Sequence, residues 1–122
     1  MVIDAYQSVY NSDIHIRVVS AKTAEMAKYM ENSFFAVKVI FCNEFFDIAK
    51  AFGIDYNELR ETWLEDPRIG RSHTFVYRNN QGYGGACLPK DVNSIIYQAD
   101  EKKVNCNLLK AVREKNNMYQ GK

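Results

Sequence analysis

The amino-acid sequence predicts an all-α fold with one long central helix and shorter helices packed against it. Between Ser20 and Gly53 there is neither glycine nor proline, and apolar residues recur at spacings of three and four, the period of a helix face. Asp55 followed by Glu58 has the form of a capping box that begins a second helix. Pro89 indicates the start of a third helix, because proline is tolerated in the first helical turn.

The long helix is predicted to span about 30 residues, or about 45 Å at 1.5 Å per residue. Ser20 suits the N-cap and Gly53 the C-terminal cap. The pairs Phe34-Phe35 and Phe45-Phe46 make the apolar stripe wider than a solvent-facing helix needs. We therefore expect more than one face of this helix to be buried, with a homodimer covering the remainder. The stripe consists of Ala24, Ala27, Met30, Phe34, Val37, Phe41, Phe45, Ile48 and Phe52.

The segment before the long helix has a different pattern. Val2–Tyr10 is compatible with a short helix. Ile14–Val19 alternates apolar and polar residues and is rich in β-branched side chains, which is typical of a strand. A single strand cannot satisfy its own backbone, so we expect its pairing partner to lie outside this chain.

The second half of the chain contains a loop and two further helices. Residues 72–81 are polar and irregular, which predicts a loop leading to the glycines at 82, 84 and 85. A helix should follow, with Leu88 or Cys87 as its cap and Pro89 as its first helical residue, ending near Lys103. Asn107 is a good cap for the last helix.

Composition excludes several classes of function. With 16 basic and 15 acidic residues among 122, the net charge is +1, which does not indicate a nucleic-acid surface. No apolar run approaches the roughly 18 residues that span a bilayer. Three widely spaced cysteines form neither a disulfide framework nor a zinc pattern, and two histidines are too few for a metal site. We expect a protein of the reducing cytoplasm.

Cys87 is the strongest candidate for chemistry. It follows three glycines and lies at the predicted start of a helix beside Lys90, where the helix dipole and a cation both favour the thiolate. The same pattern is compatible with a small buried residue after a glycine turn. Lys28 and Asn32 stand four apart on the long helix, so they could present an ammonium and a carboxamide to one oxygen or could be ordinary surface residues.

Three blocks of sequence, in this order and spacing, resemble the central domain of the UDP-glucose/GDP-mannose 6-dehydrogenase family. They are Thr23–Asn32, Asp66-Pro67-Arg68-Ile69-Gly70, and Gly82-Tyr83-Gly84-Gly85-Ala86-Cys87-Leu88-Pro89-Lys90-Asp91. The resemblance covers about residues 20–120 and implies a fold similar to the C-terminal-like domain of 6-phosphogluconate dehydrogenase. It assigns 20–122 to a central dimerisation domain carrying the catalytic cysteine. Residues 1–19 would be the end of, or a linker from, an NAD-binding domain.

The resemblance implies a two-step oxidation of a sugar C6 alcohol to a carboxylate with two NAD+. Cys87 would attack the intermediate aldehyde, and the thiohemiacetal would be oxidised to a thioester that water hydrolyses. Lys28 and Asn32 match positions that stabilise the oxyanion and hold the water, a role suited to fixed donors. Asp91 matches a carboxylate that assists the cysteine or its water.

The resemblance also implies the substrate contacts. The family's nucleotide-sugar lies against the segment matching Tyr83, Gly84 and Gly85, and Arg68 matches an arginine that reaches the substrate of the neighbouring subunit. One departure affects this expectation. The loop between Gly70 and Gly82 is about three residues longer than in many relatives, and residues 78–80 stand where Pro-Gly is often seen. Contacts from this loop, including any by Tyr77 or Arg78, are therefore left open.

The expected partners are a UDP-sugar, most like UDP-glucose, a second copy of the chain through the long helix, and N- and C-terminal domains of a longer protein. No Gly-x-Gly-x-x-Gly fingerprint occurs in the sequence, so NAD is expected to bind mainly to a domain outside this chain. We expect the chain alone to be inactive. The alternatives are a GDP-mannose or UDP-N-acetylhexosamine dehydrogenase, a non-catalytic dimerisation module, and a thiol hydrolase with His73 as base.

Overall fold

The computed structural model describes residues 3–10 and 13–122, with side chains from Val18 onward. The chain divides into two compact units, one ending at Glu31 and the other Asn32–Lys122, and each is described by itself. The prediction of an all-α fold with a long helix is confirmed. The elements, in chain order, are β1 Ile3–Tyr10, β2 Asp13–Ser20, α1 Ala21–Ala51, α2 Tyr56–Trp63, α3 Cys87–Glu101 and α4 Asn107–Tyr119.

The first unit contains an antiparallel pair of strands ahead of the start of α1. β1 and β2 pair with Ile3 opposite Ser20 and Tyr10 opposite Asp13. The predicted helix over Val2–Tyr10 is therefore wrong where the structure describes it, because pairing with β2 overrides a weak local helix preference. The predicted strand at Ile14–Val19 is confirmed, but its partner is β1 and not a segment outside this chain.

α1 is one unbroken helix of 31 residues, about 46 Å long. Its N-terminus is capped as predicted, because the Ser20 hydroxyl accepts a hydrogen bond from the Thr23 backbone N–H at 3.1 Å. At its C-terminus Gly53 has φ +69°. The Ile54 N–H donates to the Ala49 carbonyl at 2.8 Å and the Gly53 N–H to Lys50 at 3.2 Å, the Schellman arrangement. Both predicted ends of the helix are confirmed.

Two apolar clusters lie along the second unit. The first joins α1, the glycine loop, α3 and α4; its buried members are Ala36, Ile40, Tyr83, Val92, Ile96 and Val112. The second lies between α1, α2 and the following loop, with Cys42, Ala49, Tyr56 and Val76 buried. In this second cluster the Tyr56 hydroxyl donates to the Thr74 carbonyl at 2.7 Å. Burial raises the pKa of both the Cys42 thiol and the Tyr56 hydroxyl.

The N-caps of α2, α3 and α4 can be compared with those predicted from the sequence. Asp55 caps α2 as predicted, accepting from the Glu58 N–H at 3.2 Å. α3 begins earlier than predicted: Ala86 is its N-cap and Cys87 its first residue, so Pro89 is the third. Proline is tolerated there because none of the first four helical N–H groups has a partner within the helix. α4 begins at Asn107, but its N-cap is Cys106, not Asn107.

In the described part of the chain, no helix is both long enough and apolar enough to cross a membrane. Nor does any group of three or more His, Cys, Asp or Glu side chains among residues 18–122 have the arrangement of a metal site.

The C-terminal cap of α3 generates a prediction. Val104 N–H donates to the Ala99 carbonyl at 2.8 Å, but the residue in the left-handed conformation is Lys103, with φ +59°. A left-handed residue with a Cβ is strained by about 1–2 kcal/mol, partly offset by the unfolded-state entropy of glycine. Lys103→Gly should raise the free energy of unfolding by roughly 0.5–1 kcal/mol, measured by urea denaturation.

Gly53→Ala is the matched control, since Gly53 caps α1 in the same conformation and a Cβ there would meet nothing within 4 Å. It should lower the free energy of unfolding. A destabilised Lys103→Gly variant would contradict the strain assigned to this cap.

Candidate functional site

Cys87 is the first residue of α3, and its side chain is exposed. Ala86, the N-cap, provides no side-chain acceptor for the first-turn N–H groups. These N–H groups have no partner within the helix, and they lie at the positive end of the helix dipole. Gly85 precedes the cap with φ +79° and open space where a Cβ would stand. The thiol is thus reachable from solvent at the N-terminal end of α3.

Asp91 lies one turn after Cys87 on α3, so the two side chains are neighbours on one helix face. Its side chain is only 1% exposed. The Asn32 side-chain amide donates to Asp91 Oδ2 at 2.6 Å, and the Lys90 ammonium lies 3.4 Å from Asp91 Oδ1. A buried carboxylate needs such partners. Asn32 on α1 and Asp91 on α3, both predicted as site residues, are therefore brought together.

The glycine loop is open at Gly84 and Gly85, which are exposed. Tyr83 lies in the first apolar cluster and is 5% exposed, and burial raises the pKa of its hydroxyl. Both backbone hydrogen-bonding groups of Tyr83 are already paired with the Asn116 side chain. The surface available to a ligand at this loop is the Gly84-Gly85 backbone, while a substrate contact by Tyr83 stays a prediction.

Arg68 lies in the turn after α2, with its side chain 86% exposed. Its Nε donates to Asp66 Oδ1 at 3.0 Å and one terminal nitrogen donates to Asp66 Oδ2 at 2.7 Å. This pairing holds the pKa of the Asp66 carboxyl below its usual range. The turn is attached to α1, because the Lys38 ammonium donates to the Gly70 carbonyl at 2.6 Å. Arg68 is thus presented to solvent from a fixed turn.

Lys28 is exposed on α1, one turn before Asn32. It belongs to the unit that ends at Glu31, whereas Cys87 and Asp91 belong to Asn32–Lys122. The predicted role of Lys28 beside Cys87 therefore stays a prediction.

Asn43, Asn116 and Gln120 are site residues that the sequence analysis missed. Asn43 Oδ1 accepts from the Gly82 N–H at 3.1 Å, and Gln120 Nε2 donates to the Gln81 carbonyl at 2.6 Å. Together with Asn116 they hold the backbone that leads to Gly84 and Gly85. No sequence signal identifies them, since amides on amphipathic helices are usually surface residues.

Tyr77 and Arg78, whose contacts the longer loop left open, line a cleft of about 780 Å³. The cleft lies between the end of α1, the start of α2 and residues 75–80. Its lining also includes Phe46, Lys50, Ile54, Tyr56 and Asn57.

The Asn32–Asp91 hydrogen bond generates a prediction. Asn32→Leu keeps a similar volume but removes the donor from a buried carboxylate, which costs about 1–3 kcal/mol. The free energy of unfolding should fall by that amount in urea titrations. Adding Asp91→Leu should restore part of it, because replacing both partners by apolar groups is less costly than removing only one of them. An Asn32→Leu variant as stable as the parent would contradict the importance of this bond.

Comparison with known proteins places most of the chain in one protein family. Residues 22–118 match the UDP-glucose/GDP-mannose dehydrogenase family, central domain. The chain is 31% identical over 116 residues to the UDP-glucose 6-dehydrogenase of Rickettsia typhi, covering 95% of this chain and 26% of that protein. It is 37% identical over 114 residues to the GDP-mannose 6-dehydrogenase of Pseudomonas savastanoi pv. phaseolicola, covering 93% and 26%.

The UDP-glucose 6-dehydrogenase of Pseudomonas aeruginosa is 36% identical over 101 residues, covering 83% of this chain and 22% of that protein. The chain therefore spans about a quarter of the length of these relatives. The match extends over most of the chain and confirms the resemblance carried by its three sequence blocks. By this match the chain belongs to the UDP-glucose/GDP-mannose dehydrogenase family, as a central domain.

Proposed function

We propose that this chain supplies the nucleophile and the sugar-nucleotide contacts of a dehydrogenase that oxidises UDP-glucose to UDP-glucuronate. The observation that carries the proposal is an exposed thiol at a helix N-terminus, followed one turn later by a buried carboxylate that accepts a hydrogen bond from the Asn32 amide. The exposed Gly84-Gly85 backbone, which Ala86 separates from Cys87, provides a surface for the substrate. Glycine allows a ligand to approach such a backbone closely.

The proposed chemistry has two oxidations and one hydrolysis. The C6 alcohol first loses a hydride and its hydroxyl proton to become an aldehyde. The Cys87 thiolate then forms a bond to C6, the carbonyl electron pair moves onto oxygen, and that oxygen takes a proton. The thiohemiacetal then loses a second hydride together with its hydroxyl proton, which gives a thioester. Water adds to the thioester, the carbon–sulfur bond breaks, and the Cys87 thiolate leaves with the carboxylic acid as product.

Asn32 and Lys28 are proposed to stabilise the oxygen that becomes negative at C6. Fixed donors directed at developing charge are worth several kcal/mol in acyl-transfer sites. The 2.6 Å bond to Asp91 fixes the orientation of the Asn32 amide. Asp91 in turn is proposed to accept the proton of the cysteine or of the attacking water.

The described residues do not fit a dinucleotide cofactor. Between residues 13 and 122 the structure contains no parallel strand–helix–strand unit, and the sequence contains no Gly-x-Gly-x-x-Gly turn to hold a pyrophosphate. The two hydrides still require an acceptor. We propose NAD+, bound by a domain outside this chain, which would make the chain alone inactive as a dehydrogenase. By the same proposal, residues 20–122 form the central domain and residues 1–19 lead to the cofactor domain.

A homodimer through α1 is the second part of the proposal. Four large apolar residues of α1 and Phe52, which directly follows the helix, form an exposed stripe, the aromatic face. The four are Phe34, Phe41, Phe45 and Ile48, and all five side chains are 41–76% exposed. Phe34 and Phe41 line one groove together with Arg68. A second copy placed on the aromatic face would therefore lie beside Arg68, which supports the expectation that Arg68 reaches the neighbouring subunit's substrate.

Two alternatives differ in what they require of Cys87. A non-catalytic dimerisation module would need only the aromatic face. A thiol hydrolase would need a base, and His73 is the residue the sequence offers. The His73 ring stacks on Phe35 at 4.1 Å between centroids, and its Nδ1 lies 3.2 Å from the Ser72 hydroxyl. These contacts favour a packing role for His73.

GDP-mannose and UDP-N-acetylhexosamines remain the alternative substrates.

The function is tested without a cofactor by offering the chain the C6 aldehyde of UDP-glucose. Cys87 should add to it reversibly, so the aldehyde should protect Cys87 from iodoacetamide in a mass-spectrometric assay. UDP-glucose itself should protect less, because it cannot form the sulfur–carbon bond. The C6 aldehyde of GDP-mannose distinguishes the two substrate classes. Labelling of Cys87 that the aldehydes leave unchanged would contradict the proposal and favour the non-catalytic module.

The dimer is tested by placing a charge on the aromatic face. Phe34→Glu and Phe45→Glu should each convert the chain to a monomer in analytical ultracentrifugation, because burying an unpaired carboxylate in an interface is unfavourable. Tyr97→Glu on α3 is the matched control, since Tyr97 is 67% exposed and lies outside the aromatic face. A parent chain that is monomeric at high concentration, or a dimer that tolerates both changes, would contradict this interface.

A further inference from the structure

The Asn116 side chain makes two hydrogen bonds to the backbone of one residue, Tyr83. Its Oδ1 accepts from the Tyr83 N–H at 2.7 Å, and its Nδ2 donates to the Tyr83 carbonyl at 3.0 Å. Asn116 lies on α4, 33 residues away in sequence, and is only 6% exposed. A carboxamide can pair with a backbone in this way because it carries a donor and an acceptor side by side.

Two further amides hold the neighbouring residues. Asn43 on α1 accepts from the Gly82 N–H, and Gln120 after α4 donates to the Gln81 carbonyl. Three consecutive residues, 81 to 83, are therefore attached to helices on two sides through side-chain amides. The open residues Gly84 and Gly85 follow directly.

The fit around Asn116 excludes a side chain at position 82. A Cβ on Gly82 would lie 2.4 Å from Asn116 Oδ1, and Gly82 has φ +91°. Glycine is thus required at this position by the amide as well as by the backbone conformation. The Asn116 amide can therefore take this position only when residue 82 is glycine.

We propose that Asn116 is a positioning residue that fixes the Gly84-Gly85 backbone in its substrate-binding conformation before the nucleotide-sugar arrives. This inference rests on the proposed function, since it assigns Gly84 and Gly85 to the substrate. A loop ordered in advance does not lose its conformational entropy on binding, so affinity rises without any contact between Asn116 and the ligand.

The alternative is that Asn116 only stabilises the fold. The two roles predict different loop ordering and ligand affinity when two variants of similar stability are compared. Asn116→Leu removes both bonds to Tyr83 while keeping a similar volume in the core. Thr74→Val is the matched control: Thr74 is also fully buried, and its hydroxyl bonds to Arg60 and to the Arg71 carbonyl, away from residues 81–85.

The experiment measures three quantities for the parent chain and both variants, well below their melting temperatures. They are the hydrogen-exchange rate of the Tyr83 amide, the affinity for UDP-glucose by calorimetry, and the melting temperature. Asn116→Leu should speed Tyr83 exchange and weaken UDP-glucose binding, each by about tenfold or more, the equivalent of losing one hydrogen bond's free energy. Thr74→Val should lower the melting temperature with parent-like exchange and affinity.

Gly82→Ala provides a second variant that leaves Asn116 in place but displaces its amide, and it should reproduce the effects of Asn116→Leu. Tyr83 exchange that stays slow in both variants would overturn the positioning role. Equal loss of affinity in Asn116→Leu and Thr74→Val would also overturn it, in favour of general stability. If the parent chain does not bind UDP-glucose, the proposed substrate fails, and slow Tyr83 exchange in Asn116→Leu still rejects the ordering of the loop.

Discussion

The site depends on one unbroken helix that fixes the spacing of three side-chain contacts. From α1, Asn32 reaches the Asp91 carboxylate, Lys38 the Gly70 carbonyl and Asn43 the Gly82 N–H. Eleven residues separate the first contact from the last, about 16 Å along the helix axis. The helix α3, the turn that carries Arg68 and the glycine loop are thus attached to successive positions of one rigid element. A proline between residues 32 and 43 would kink the helix and change the spacing of the contacts on either side of it.

Much of the fold could be predicted because its signals are local. The absence of glycine and proline after Ser20, together with Gly53 at the end, predicts α1 and both of its caps. The pairing of β1 with β2 could not be predicted in the same way, because strand pairing depends on a partner elsewhere in the chain. The start of α3 lies two residues before the predicted one, since proline is compatible with several positions of the first turn.

The site residues also divide into those with a local sequence signal and those that depend on contacts between distant segments. Cys87 could be predicted from its place after the glycines at the start of a helix, and Asp91 from the family resemblance. Asn116 could not, because it lies on an amphipathic helix 33 residues from Tyr83 and resembles any exposed asparagine in sequence. Hydrogen bonds from side-chain amides to the backbone of residues 81–83 have no recognisable sequence pattern. The fit between Asn116 and Gly82 depends on where a Cβ at residue 82 would lie in three dimensions.

The three cysteines differ in environment, and this difference permits a direct test of whether Cys87 lies in a sugar-nucleotide site. Cys42 is 1% exposed with a pKa raised by burial, Cys106 is partly buried, and Cys87 is exposed. The measurement is the iodoacetamide labelling rate of each cysteine at neutral pH, with and without UDP-glucose. We expect Cys87 to be labelled first and UDP-glucose to slow the labelling of Cys87 alone. A Cys87 labelling rate that saturating UDP-glucose leaves unchanged would contradict a sugar-nucleotide site at this thiol.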